Sequence, residues 1–172
     1  MRRASGARRS LVADRKGTAL VEFAIVTPLL LMLVLGVIEY GNVFSNVHTL
    51  ASLSREGANL ASRGATLPTV VGTVIANGTD MGLSTRGGVV ASRISVNGGV
   101  AKVEEQSAST GYTGKSHLGA ANTPAVGTGT WGLQEGQIVY VVELFYRYDT
   151  ITPFENVVGI GVPDTLYERG IF

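Results

Sequence analysis

The chain has 172 residues, about the size of one ordinary domain, and no cysteine, which excludes disulfides, thiolate metal sites and cysteine nucleophiles. Hydrophobic residues make up 45% and mean hydropathy is +0.25, high for a soluble domain and a reason to look first for a membrane segment. The net charge of +1 hides an uneven distribution, with residues 1–17 at +5 and the remainder at −4, so the near-neutral total does not describe a nucleic-acid binder.

Residues 1–14 are basic, small and polar, a composition that predicts disorder. Thr18 to Ile38 is then apolar except for Glu22. At 1.5 Å per residue such a run spans roughly 30 Å, the thickness of a bilayer's hydrocarbon core. The stretch from Leu29 to Ile38 has no polar face, which argues against a buried core helix. Basic residues flank one end alone, which predicts a cytoplasmic N-terminus and a translocated C-terminal part. A cleaved secretory signal would share this layout. However, the small residues near Gly36 make a poor cleavage site and the helical pattern runs on through them, so the segment reads as retained.

The helical pattern continues to Arg63-Gly64, with Gly64 as the expected C-terminal cap. Tyr40, Val43, Phe44, Val47, Leu50, Ala51, Ala58 and Ala61 are predicted to form one apolar stripe. Pro28 predicts a kink or a loosened turn in the middle of the membrane. Thr66-Leu67-Pro68 starts a short helix with Val70, Val71, Val74, Ile75 and Met81 inward, ending near Gly82. Val89–Val96 and Val100–Glu105 read as strands around an Asn97-Gly98-Gly99 hairpin turn. Residues 107–136, with seven glycines in thirty positions, predict a long mobile loop or broken hairpin. Ile138–Tyr148 is the strongest strand, with Ile138, Tyr140, Val142, Leu144, Tyr146 and Tyr148 on one face and Val139, Val141, Glu143, Phe145 and Arg147 on the other. The expected fold class is α+β. It comprises a leader (1–17), a transmembrane helix (18–38), its periplasmic continuation (39–64) and a head (65–172) holding a short helix and an antiparallel sheet.

The junction Arg15-Lys16-Gly17-Thr18-Ala19-Leu20-Val21-Glu22-Phe23 carries the functional information. A basic leader ends in glycine, a hydrophobic helix follows, and a glutamate then an aromatic come five and six residues after the glycine. This resembles a type IV prepilin signal, which a prepilin peptidase cuts between Gly17 and Thr18. Glycine before the bond lets the backbone extend in a protease site. Glu22, a costly charge at the membrane edge, is partly compensated if it lies in the first turn of a helix. The resemblance implies that Glu22 also pairs with the new amine at Thr18 of a neighbouring subunit.

The run from Gly17 to Leu31 is further similar to the opening of the TadE-like family, minor pilin-like components of tight-adherence (Tad/Flp) pilus systems. Arg55-Glu56-Gly57-Ala58 resembles that family's Arg-Glu-Gly-Ala segment, with Asn59 where an arginine is common. The similarity covers roughly residues 15–64; Thr152-Pro153-Phe154 is only loosely similar. It implies a structural component rather than an enzyme, without cofactor, nucleic acid or small-molecule substrate. The implied partners are the membrane, a prepilin peptidase, other pilins or pseudopilins, and an inner-membrane assembly platform. The implied location is the bacterial inner membrane, single-pass, with passage into an extracellular pilus open. Alternatives are a pseudopilin of another secretion system and an uncleaved, signal-anchored periplasmic binding or adhesion module.

Candidate assembly residues are Glu22 and Phe23, and candidates for close helix packing are Ala24, Gly36, Gly41, Gly57 and Ala58, with Arg55 and Glu56 fixing register. Arg55 and Glu56 read equally well as two charges on a solvated face. No H-E-x-x-H, G-x-S-x-G or P-loop pattern occurs, and His48 and His117 are the only histidines. Glu104-Glu105, adjacent on a strand, point to opposite faces and make a poor acid–base pair. Trp131 reads as an anchor for its own loop.

Overall fold

In a computed structural model the protein is described over residues 15–153 and 161–172, with side chains from Gly17 onward. The basic leader 1–14 and Phe154 lie outside the described residues. Helix α1 runs unbroken from Arg15 to Ser62, 48 residues, or about 72 Å at 1.5 Å per residue. It includes Pro28, whose missing N–H leaves the Ala24 carbonyl without its usual donor. The helix stops where the sequence places its cap. Gly64 adopts φ 96°, its N–H reaches the Ala61 carbonyl, and the N–H of Ala65 reaches that of Leu60. These are the paired bonds of a Schellman ending, which needs the left-handed conformation that glycine takes without penalty.

Helix α2 is Leu67–Asn77, with Pro68 in its first turn. It ends earlier than expected. Gly78 receives no room for a side chain, since a Cβ there would lie 2.7 Å from Leu83. A 3₁₀ turn, Thr79–Met81, and one helical turn, α3 (Leu83–Arg86), fill the rest, so Met81 is not on the α2 face. Strands β1 (Gly87–Asn97) and β2 (Val100–Ala108) form the expected hairpin. Gly98 and Gly99 both have positive φ, at 63° and 75°, which is what a two-residue turn matching the strand twist requires. Strand β3 is Ile138–Arg147 and β4, which the sequence pattern did not announce, is Thr165–Ile171. All neighbours are antiparallel, in the order β2-β1-β3-β4.

Each face of the sheet is covered by a different part of the chain. On one side Val89, Ala91, Val142, Leu144, Tyr146 and Leu166 pack against Leu50, Leu53, Ala58 and Ala61 of α1 and against Leu67, Val70, Val71 and Val74 of α2. On the other side Ile94, Val103, Val139 and Val141 are covered by Leu118, Ala125, Trp131 and Leu133 of the glycine-rich segment. That segment is tied down along its length. Thr123 O accepts from Val103 N, Ala125 N reaches Ala101 O, and Lys102 forms a bridge with Pro124. The alternation expected for β3 is the one observed, with even-numbered residues toward the helices.

The predicted stripe on α1 needs one correction. Val43, Val47, Leu50, Ala58 and Ala61 face the head, and Leu53 joins them, but Phe44 is 63% exposed and Tyr40 37%. Phe44 is one residue beyond Val43, a 100° step around the helix, which carries it off the buried side.

Candidate assembly surface

Most of the exposed large apolar side chains among the described residues lie on the lower part of α1. Leu20, Val21, Phe23, Ile25, Val26, Leu29, Leu30, Leu31, Leu33, Val34, Val37 and Ile38 are each 41–69% exposed. Burying such a side chain is worth about 1.5–3 kcal/mol. At their observed exposure, leaving twelve in water would cost about 10–20 kcal/mol, comparable with the whole net stability of a typical domain. The head does not cover them, which makes this segment a candidate for burial in lipid or against other apolar helices. Among the described residues this is the one helix long and apolar enough to cross a membrane.

Glu22 and Phe23 lie exposed on this segment. Because α1 already includes Arg15, Glu22 is not in its first turn. The dipole compensation expected there is absent from the uncut chain, and would arise only if the helix began at Thr18. The Gly17–Thr18 bond itself is helical and exposed.

The helix-packing candidates separate into two groups. Gly57 is buried where α1 crosses α2 and β3, and a Cβ on it would lie 2.7 Å from Val74 Cγ2 and 3.3 Å from Val142 Cγ2. Ala58 beside it is fully buried. These two serve contact with the chain's own head. Arg55 and Glu56 are exposed, and Glu56 Oε1 accepts a 3.1 Å bond from Asn77 Nδ2 at the end of α2. Gly41 faces open space. Gly36 is buried, on the side of α1 that bears Glu39.

Two buried carboxylates escaped the sequence reading. Glu39, directly after the apolar run, is fully buried. Its oxygens accept bonds from Tyr148 Oη (2.7 Å), Thr152 Oγ1 (2.6 Å) and the amides of Ile151 (3.2 Å) and Thr152 (2.8 Å). Asn42 donates to the same Tyr148 hydroxyl at 3.0 Å. The end of β3 is thereby fastened to the helix at the upper margin of the apolar segment. Glu143, also fully buried, accepts from Ser116 Oγ, from the His117 amide at 3.0 Å and from Tyr167 Oη at 2.9 Å. It ties the glycine-rich segment to the sheet. Burial beside this carboxylate pushes the Tyr167 hydroxyl well above the usual tyrosine range. No sequence signal marks either residue, because each partner lies far along the chain.

The remaining polar groups have structural neighbours. His48 is exposed on α1, and the His117 ring lies against Tyr167 and Phe145. A bulge opposite Arg93 separates the roles of Glu104, which accepts from Ser95 and lies near Lys102, and of Glu105, which lies 3.8 Å from Arg93. Trp131 packs on the sheet with the Arg169 guanidinium 5.0 Å from its ring centre. Among the described residues no group of three His, Asp or Glu side chains is placed to hold a metal.

The uncovered apolar helix, its single charge at Glu22 and the buried Gly57-Ala58 step lie on one continuous element. Residues 17–59 match the family model of TadE-like proteins. The TadE-like segment starts at the glycine before the apolar run and ends within Arg55-Glu56-Gly57-Ala58-Asn59, so it is confined to α1 and takes in both the exposed half of the helix and the part that carries the head. The sheet and its covering segment lie outside it. No curated protein and no solved structure matches the chain.

Proposed function

We propose that the protein is a TadE-like pseudopilin, a structural component in the assembly of a Tad/Flp pilus. The observation that carries this reading is the TadE-like helix itself, which exposes twelve large apolar side chains that the head leaves uncovered. In the proposed sequence of events the precursor inserts with its basic leader on the cytoplasmic side of the inner membrane. A prepilin peptidase then cuts after Gly17. The cut makes Thr18 the first residue and moves Glu22 to the fifth position of the new helix, where the dipole and a neighbour's terminal amine compensate its charge. The mature helix exchanges lipid for other pilin-like helices, with Gly41 and Ala24 as points of close approach. The head meets assembly partners on the periplasmic side. Replacing Gly17 with leucine tests the maturation step: the expected result is accumulation of uncut precursor and loss of pili. Normal processing and piliation in that strain would contradict the reading.

A further inference from the structure

We propose that the turn following β3, residues 149–153, is seated on the bilayer surface, with Ile151 in the headgroup layer. The inference rests on the reading that residues 18–38 span a membrane. Glu39 is the first residue after that span, and its carboxylate holds the Ile151 amide, the Thr152 amide and the Thr152 hydroxyl. A helical side chain leans toward the helix N-terminus, so this carboxylate lies over the turn below its own Cα, alongside the last residues of the apolar run. The turn it holds lies at that depth.

Burial along α1 points the same way. Met32 and Leu35 are half-buried and Gly36 is buried, at helical spacing below Glu39, while Leu33, Val34 and Val37 around them are exposed. The head side of the helix therefore stays covered some way down into the apolar run. Ile151 is 60% exposed, a large apolar side chain presented at the level where lipid begins. Beside it Asp149 lies between Arg147 (3.5 Å) and Arg86 (3.9 Å), so two guanidinium groups stand next to the turn, a group type that pairs with headgroup phosphates. Tyr40, 37% exposed and next to Glu39, is of the residue type that collects at this interface.

The absence of cysteine allows a direct depth measurement. The full chain, carrying one environment-sensitive fluorophore at Ile151→Cys, is reconstituted in phosphatidylethanolamine/phosphatidylglycerol vesicles. Val100→Cys, an exposed apolar position at the β1–β2 turn, lies about 40 Å from Tyr148 along the sheet and is the water-side control. Leu30→Cys reports the span. The expected result is quenching at 151 by lipids spin-labelled near the headgroup, with blue-shifted emission and protection from iodide. The label at 100 is expected to be quenched by iodide alone, and that at 30 by deep spin labels. Iodide quenching at 151 equal to that at 100, with 30 buried in lipid, would overturn the seating of the turn. A label at 30 open to iodide would overturn the membrane span and this inference with it.

Discussion

A Cβ on Gly57 would lie 2.7 Å from Val74 Cγ2, whereas one on Gly41 meets nothing within 4 Å. Both glycines cost the helix propensity, by roughly 0.5–1 kcal/mol relative to alanine. The two positions should therefore respond with opposite signs. Gly57→Val overfills the contact between α1, α2 and β3 and is expected to destabilise by about 1–3 kcal/mol. Gly41→Ala is expected to stabilise by about 0.5–1 kcal/mol. Denaturation of the purified protein in detergent measures both. If Gly41 is also a point of approach between subunits, the Gly41→Ala strain loses pili while its protein is the more stable one. The chemistry of these residues was partly legible in the sequence, since Gly57 and Ala58 stand out as small. What they pack against was not, because Val74 and Val142 belong to other elements.

At the scale of elements, one carboxylate bonds the β1–β2 turn and another bonds the glycine-rich segment. Glu135 accepts from the amides of Gly99 at 2.9 Å and Gly98 at 2.8 Å. Those bonds hold its carboxyl below the ordinary 4.5, because they favour the charged form. A depressed folded-state pKa contributes stability that is complete above the unfolded value and is lost as pH falls through the folded one. Hydrogen exchange at Gly98 and Gly99 is expected to lose protection as pH drops below about 4.5, over and above the intrinsic pH trend, and Glu135→Gln to remove that extra loss. Glu143 bonds the long segment from inside the protein. Glu143→Ala leaves Ser116, the His117 amide and the Tyr167 hydroxyl without their acceptor. The expected cost is at least about 2 kcal/mol, and limited proteolysis should then cut within 107–136 first.

The strands β1, β2 and β3 were legible because their alternation is strong and the paired glycines mark the turn. Strand β4 was not. Thr165-Leu166-Tyr167-Glu168-Arg169-Gly170-Ile171 places two charges and a glycine together, and it is a strand because β3 pairs with it. Gly170 is required there, since a Cβ would lie 2.2 Å from the Ser54 carbonyl oxygen of α1. The contacts of the glycine-rich segment with the sheet, through Leu118 and the buried Glu143 among others, are not marked in its composition.

For the whole molecule, one helix serves two environments. Its C-terminal half is part of a folded head, and its N-terminal half is an apolar rod with twelve large apolar side chains exposed. Glu39 joins the two, bonding a turn more than a hundred residues away to the helix where the apolar run ends. In the sequence Glu39 reads only as the charge that closes the run, because nothing local records a partner at Tyr148 or Thr152. The proposed cut after Gly17 would leave this head and its fastening intact and change only the helix start. Intact mass and N-terminal sequencing of the protein, from cells with and without the prepilin peptidase, test that claim most directly. The account predicts a mature chain beginning at Thr18 when the peptidase is present and one retaining the leader when it is absent. A chain that keeps residues 1–17 in both strains would contradict it.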